Sequence, residues 1–560
     1  MTIDERRKEL AALKANRTSW DAHWLEIGEY MLPRRPRFLV TDANSGRKRN
    51  DKILHEAAIK ALRTLSSGMT AGITSPARPW FRLTTPDPDL MKRESVRDWL
   101  WQVEERIRLV LHMSNFYHAA PTLYRDLGAF GVSALQADES FGADVIRCYV
   151  HPIGSYWLAS DAEFRIQTIY RQSRATVAQI VERFGENGEP TEAMPDLVKS
   201  AWRDQRYHDS FTLYNAIGPN RDRDPERGDA KGKPWASVWF MDGARDFLQV
   251  SGFWEFPCMA PRWEVTGEDV YGSSPGMDVL GSVKLLQKLE SKGLSALNKI
   301  VDPPMVGPSV LRSGGASIVP GTITYLDTVG PGVEFKPAHQ VDAKVVFLQE
   351  KVRDVVQRIN AGFFADLWLM LHAADNPQMT AREVAERHEE KMLQLGPVLE
   401  GLHDEFLDPL IGRVYAILER RGYLPPPPPD IQGRDFQPEY ISILAQAQKM
   451  LGLSGLERTT SYVIAAANVN PEALDVWDFD EAIRLYGDLA GIAPRLIRSK
   501  EDVEEARAAR AQQQQMAQLA ALAKPASDAA AAARSIADIG DGAGAEALAR
   551  TASPVAAGGV

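Results

Sequence analysis

The stretch from residue 276 to 420 constrains this 560-residue chain more than any other, because it sets amphipathic helices around a short β-like insertion. In its first part Lys284, Lys288, Lys292 and Lys299 recur at helical spacing. At about 100° per residue they occupy roughly one quarter of the helix circumference. Val283, Leu285, Leu286, Leu289, Leu294, Leu297 and Ile300 fall on the opposite side. A second helix, from about Val341 to Asn360, sets Val341, Val345, Leu348, Val352, Val355 and Ile359 on one stripe and Glu350, Lys351, Arg353, Asp354 and Arg358 on the other face. The Gly/Pro-rich segment between them alternates apolar residues at Ile318, Ile323, Tyr325 and Val333. Such strands are too short for a private core, and pairing with another copy would satisfy their edges. Two helices bracketing a small β insertion describe a stalk with a tip.

A third, long helix follows. Thr380 and Glu383 have capping-box spacing and Gly422 stands where a C-terminal cap belongs. Pro397 and Pro409 each remove a helix hydrogen bond, which predicts kinks. Between the second and third helices, Gly362 and Pro377 bound a connection in which Phe364 to Leu371 is expected to begin as helix packed on the stalk. Asp375, Asn376, Pro377 and Gln378 form its exposed turn.

The rest of the chain reads as ordinary globular sequence, 44% hydrophobic and 25% charged, long enough for two to four domains. Residues 4–30, 53–72, 94–113 and 116–130 are predicted helices, and TSPARPWF (74–81) an anchored extended turn. Strands are expected at 145–150, 209–216, 235–241 and 246–254, with a polar, disordered-looking loop at 219–233. A strand-like RIQTIYRQ leads into a helix closed by Gly185. Pro425 to Pro429 is a stiff spacer, short helices follow, and the Ala/Gly/Ser-rich end beyond about 525 is expected to be mobile.

Several chemistries are excluded. Net charge is −10, which argues against a chain that coats itself in nucleic acid but not against passive contact with a polyanion. Two cysteines, Cys148 and Cys258, supply neither a disulfide framework nor a thiol metal cluster, and fit a reducing cytosol. The N-terminus lacks a signal-peptide core and the longest apolar run is too short for a bilayer. There is no Walker-type phosphate loop. His55-Glu56 and His388-Glu389 lack the second histidine of a metalloprotease helix. One formal match to a nucleophile elbow, Gly272-Ser273-Ser274-Pro275-Gly276, puts proline where the oxyanion-donating N–H belongs, so it is read as a turn. A serine hydrolase at Ser274 and a non-channel scaffold or adaptor remain the rival readings.

In order along the chain, Trp24 to Tyr30 with Pro33, the TSPARPWF block, Phe184-Gly185, Phe253 to Pro257 with Arg262-Trp263, Tyr271-Gly272 with Pro275, Thr380 to Val384, Ile443 to Gln448 and the Gln-rich helix after Ser499 resemble the portal proteins of short-tailed bacteriophages, the head-to-tail connector family. Each block is weak alone; their order is specific. The resemblance spans about residues 15–515. It implies an α+β, mainly helical portal fold assembled as a ring, usually of twelve copies, at one capsid vertex of the virion, after synthesis in the host cytoplasm. It places the wing at 1–275, stem helices at 276–302 and 341–362, the clip at 303–340 and the tunnel loop at 363–379. A long kinked helix with its Pro-rich spacer (380–435), crown helices (436–498) and a C-terminal helix with a mobile tail (499–560) complete the plan. The implied role is a passive channel for packaging and ejecting double-stranded DNA, with no enzymatic activity, cofactor, metal or membrane. The implied partners are other copies of the chain, the terminase large subunit, tail adaptor proteins, the scaffold and the major capsid protein. On that plan Lys284, Lys288, Lys292, Lys299, Lys351, Arg353 and Arg358 become candidates for lining the channel, and Asp375 to Gln378 for the tunnel loop.

Overall fold

The computed structural model describes residues 2–39, 46, 48–87, 89–142, 144–301, 305–306, 336–337, 345–372, 395–431, 437–440, 443–468, 470, 474, 476–490, 498 and 502–516. They belong to two compact units, residues 1–454 and 455–560. The architecture is mixed helix and sheet.

The first unit begins with α1 (Ile3–Asn16) and α2 (Thr18–Met31) rather than one helix over 4–30. Neither proline nor glycine breaks it. The interruption is tertiary: Arg17 is buried, its guanidinium donates to the carbonyls of Tyr156 and Gly154, and it lies 4.4 Å from the Trp157 ring centroid. A buried guanidinium is tolerated only where such partners satisfy it, so the chain bends to deliver it.

Next come α3 (Ala57–Gly72), β1 (Phe81–Thr84), α4 (Glu94–Met113) and α5 (Phe116–Phe130). Their apolar stripes form one side of the main core, where Trp24, Trp80, Phe81, Phe116, Tyr124 and Phe130 are fully buried. The two prolines of TSPARPWF hold Trp80 and Phe81 extended, and Phe81 begins an antiparallel ladder with Tyr440. β2 (Ala134–Glu139) and β3 (Ile146–His151) make an antiparallel pair, joined on the other side of β2 by the two-residue strand at Cys258–Met259.

A five-stranded antiparallel sheet runs in simple sequence order: β4 (Tyr156–Ser160), β5 (Ile166–Thr176), β6 (Ser210–Pro219), β7 (Trp235–Phe240) and β8 (Gln249–Phe253). Inserted between β5 and β6, α6 (Val177–Phe184) and α7 (Asp196–Arg203) bury Val177, Ile180, Val181 and Val198 in a second core with Trp157, Tyr170 and Trp239. Thr176 opens α6 with a capping box to Gln179. The loop at 219–233, expected to be disordered, is instead tied down. Asn220 donates from its side chain to the carbonyls of Lys231 (3.1 Å) and Lys233 (2.9 Å), and the Asp224 N–H reaches the Lys231 carbonyl at 3.0 Å.

Gly131, with φ of 77°, closes α5 in a left-handed turn that abuts Gly272 so tightly that a Cβ there would collide with the Gly272 carbonyl. This turn receives the next helix, α8 (Pro275–Val301). Beyond it, Met305–Val306 pairs antiparallel with Lys336–Pro337 within the same chain; the remainder of the expected clip lies outside the described residues. α9 (Val345–Gly362) returns alongside α8, and α10 (Ala365–His372) packs on α3 and α9.

From residue 395 a helix passes through a π-helical turn at His403–Leu407 into α11 (Asp408–Arg420). The widening falls just before Pro409, which has no N–H to give the carbonyl four residues back, so the expected irregularity takes the form of a π-turn. Gly422, with φ of 66°, ends α11: its N–H bonds the Glu419 carbonyl and that of Tyr423 the Leu418 carbonyl, a Schellman closure. The capping box at Thr380 and Glu383 lies outside the described residues.

Ile443–Ala467 is a further helix, α12. In the second unit α13 (Phe479–Ala490) is joined to the helix over 502–516 by an Arg507–Asp480 ion pair, at 2.6 and 2.7 Å.

Candidate nucleic-acid interface on the paired helices

α8 and α9 are anchored at one end and bare at the other. On α8, Val279, Leu280, Val283 and Leu286 are buried, as are Val355 and Ile359 on α9. Ser274 opens α8 as its N-cap, accepting the Met277 N–H at 3.1 Å while its hydroxyl donates to the Ala129 carbonyl at 2.8 Å. It is 1% exposed. Both capacities of this hydroxyl are thus used in fixing the helix to α5, and Pro275 sits at the first helical position, where a missing N–H costs nothing. The G-x-S-x-G match is a helix start, and no general base faces it among its hydrogen-bond partners. Gln287, also buried, locks the middle of α8: its Oε1 accepts the N–H groups of Leu54 and His55 at 2.7 and 2.8 Å, and its amide donates to the His55 carbonyl at 2.9 Å.

Past Gln287 the apolar side of α8 has little to pack against within one subunit. The sequence places Leu294, Leu297 and Ile300 on the apolar side; all three are exposed here, by 51, 50 and 45%, and Val301 by 76%, as is Leu285 before them by 39%. Phe347 on α9 is 66% exposed. Leu348 does meet α8, close to Gly293, so the two helices stay in contact while their outer faces remain bare.

The seven basic candidates fall into two groups. Lys284 is paired with Glu26 of α2 at 2.5 Å, and the carboxylate raises the ammonium's pKa by hydrogen bonding and charge. Lys351 and Arg358 share one oxygen of Asp354, at 2.9 and 2.7 Å, which lowers the Asp354 pKa. The freedom from acids read along the α8 stripe therefore fails at Lys284, because the neutralising residue comes from another helix. Lys288, Lys292, Lys299 and Arg353 are exposed and have no carboxylate partner among the described residues. Sequence reasoning missed Glu26 and Glu29, the second of which pairs with Lys52 at 2.6 Å. Their i,i+3 spacing on one face of α2 was the available signal.

The connection expected as a tunnel loop over 363–379 starts in the core. Phe363, Ala365, Leu367 and Trp368 are buried, and Trp368 covers Gly68 of α3 so closely that a Cβ on Gly68 would overlap its ring. The chain turns from α9 into α10 at Phe364, which holds a left-handed φ of 53°, a conformation that costs a non-glycine residue on the order of 1 kcal/mol. The turn signal at Asp375, Asn376, Pro377 and Gln378 lies outside the described residues.

Among the described residues no cluster of acids, histidines or cysteines could hold a metal, and no helix is long and apolar enough to cross a membrane. Cys148 and Cys258 are buried free thiols, their pKa values pushed up to about 12 by burial.

α8 and α9 thus form a helix pair rooted in the mixed core, with exposed apolar residues on the outer half of α8 and lysines that have no carboxylate partner among the described residues. The chain belongs to the family described as bacteriophage head to tail connecting protein, whose profile matches residues 4–497. It is 43% identical over 500 residues to the portal protein of Salmonella phage epsilon15, covering 89% of each chain. It is 41% identical over 489 residues to the probable portal protein of Bordetella phage BPP-1, covering 87% of each. The family is structural rather than enzymatic, and this chain is a phage head-to-tail connector.

Proposed function

We propose that copies of this chain form a ring, of about twelve subunits on the family's plan, whose central channel passes double-stranded DNA into the capsid and out again. α8 and α9 are the stem, residues 303–340 the clip that meets the terminase large subunit and later the tail adaptors, and 363–379 leads towards the tunnel. The observation that carries this reading is the exposed row Leu294, Leu297, Ile300 and Val301 on the outer half of α8. Monomeric proteins rarely leave a contiguous row of large apolar side chains in water. The same helix of a neighbouring copy would cover them.

Lys288, Lys292, Lys299 and Arg353 then serve as weak phosphate contacts. Flexible ammonium groups can follow a backbone whose symmetry differs from the ring's, and few of them on an acidic chain keep the grip loose enough for sliding. Lys284, Lys351 and Arg358 drop to a secondary role because their charge is already matched. Negative-stain imaging of purified protein tests the proposal: rings with a central hole are expected, and a uniform population of monomers or dimers at high protein concentration would reject it.

A further inference from the structure

A cleft of 600 Å³ opens in the first unit where the C-terminal end of α2 meets α5 and β3, and its lining includes no residue of α8 or α9. Its walls are largely apolar, with Met31, Pro33, Ile59 and Val150 among them. Arg34, Arg35 and Arg125 also line it, and they are not equivalent. Arg35 is committed, its guanidinium forking onto both oxygens of buried Asp126, with Nε at 2.8 and 3.0 Å. Arg34 is exposed and Arg125 half-buried, and neither has a carboxylate partner among the described residues. The Arg125 Nε is moreover buried without any hydrogen-bond partner, a state that costs free energy unless something arrives to fill it. Three guanidiniums face one carboxylate, a local excess of two positive charges on a chain of net charge −10. Tyr149, 56% exposed, adds an aromatic face.

We infer that this cleft docks an acidic peptide segment of a partner protein, one in which a carboxylate side chain stands next to an aliphatic or aromatic one. Guanidinium groups hold carboxylates through paired, charge-assisted hydrogen bonds. A few charged groups set in an apolar wall are the usual make-up of a site that orients its ligand by charge and holds it by burial. A phosphodiester backbone would satisfy the arginines but offer nothing to cover Ile59 or the Tyr149 ring. The site is separate from the channel proposed above and does not depend on it.

The test uses the full chain and fluorescence anisotropy of a labelled hexapeptide alternating aspartate and phenylalanine. The same peptide with asparagine for aspartate is the first comparison, and inorganic phosphate and a short single-stranded oligonucleotide are competitors. Expected are saturable binding of the aspartate peptide and affinity about tenfold lower for the asparagine peptide. Arg34→Gln and Arg125→Gln should each bring a similar loss, and millimolar phosphate should displace little of the peptide. Arg34 is exposed, so Arg34→Gln should melt like the parent; if Arg125→Gln melts lower, Arg34→Gln alone decides the outcome. No binding, equal affinity for both peptides, unchanged binding in Arg34→Gln, or full displacement by phosphate or the oligonucleotide would each overturn the inference.

Discussion

Two buried ionisable side chains among the described residues, Glu104 and His151, shift in opposite directions and so pull the pH dependence of stability opposite ways. Glu104 of α4 accepts the Leu83 N–H at 2.7 Å, and burial pushes its carboxyl up to about 7. The folded state therefore holds a proton that the unfolded chain has already lost above about 4.5, and stability falls as pH rises from there towards 7. His151 is the reverse case. Burial, with Arg171 and Arg35 nearby, depresses its imidazole to about 3, so the stability it contributes is present above about 6.5 and drains away as pH falls towards 3. Glu104→Gln keeps an oxygen for the Leu83 N–H and removes the charge. Chemical denaturation should show the variant more stable than the parent at pH 8, by at most about 3 kcal/mol. It should be indistinguishable at pH 4, where both side chains are neutral. Equal stability of variant and parent at pH 8 would mean Glu104 is not held protonated by the fold. The other residue-scale prediction concerns Ser274. Ser274→Ala should cost about 1–2 kcal/mol, because it deletes a helix cap and leaves the Ala129 carbonyl without its donor. It should leave every assembly property in place; an esterase-type activity lost in this variant would revive the hydrolase reading.

At the scale of elements, packing and local signals divide what could be read in advance from what could not. The ends of α4 and α5 were legible at 94–113 and 116–130 because their apolar residues recur with helical period and Asn115 and Gly131 sit at the breaks. The absence of an oxyanion donor after Ser274 followed from Pro275, but the segment expected as a turn is the start of α8. The break at Arg17 was not legible, since its cause lies in carbonyls of residues 154 and 156, and the order of the 219–233 loop rests on bonds across it, among them the Asn220 side chain bridging carbonyls eleven and thirteen residues away. The apolar stripe of α8 was visible in sequence as a stripe, but only the fold shows that burial stops near Gln287. That boundary makes a prediction. Leu294→Gln with Leu297→Gln changes side chains about half exposed in the subunit, so its unfolding free energy should move by less than about 0.5 kcal/mol per site. Ring formation, followed by light scattering after gel filtration, should fail. Intact rings from the double variant would show that these leucines face solvent in the assembly too.

For the whole molecule, the governing fact is that an acidic chain carries exposed, unpaired cations along its paired helices α8 and α9. Counterions condensed on a nucleic acid are released when a cation neutralises a phosphate, which an unpaired lysine does more readily than one already matched within the subunit. The two groups of cations should therefore separate in experiment. Changing Lys288, Lys292, Lys299 and Arg353 together to glutamine removes only exposed, unmatched charge, so subunits should fold and assemble as before. If the proposed channel is right, DNA packaging or retention in the particle should then change, with a salt dependence shallower than the parent's, since fewer phosphate contacts would exchange counterions. Lys284→Gln is the contrast. It deletes the partner of Glu26 at 2.5 Å, and an exposed pair of this kind contributes little to stability. This single change should loosen the contact between α2 and α8 slightly and leave the salt dependence of DNA retention where it was. If the quadruple variant packages and retains DNA like the parent at low and high salt, the unpaired cations are only a solvated face. If Lys284→Gln alone flattens the salt dependence, the pairing with Glu26 gives way when DNA enters.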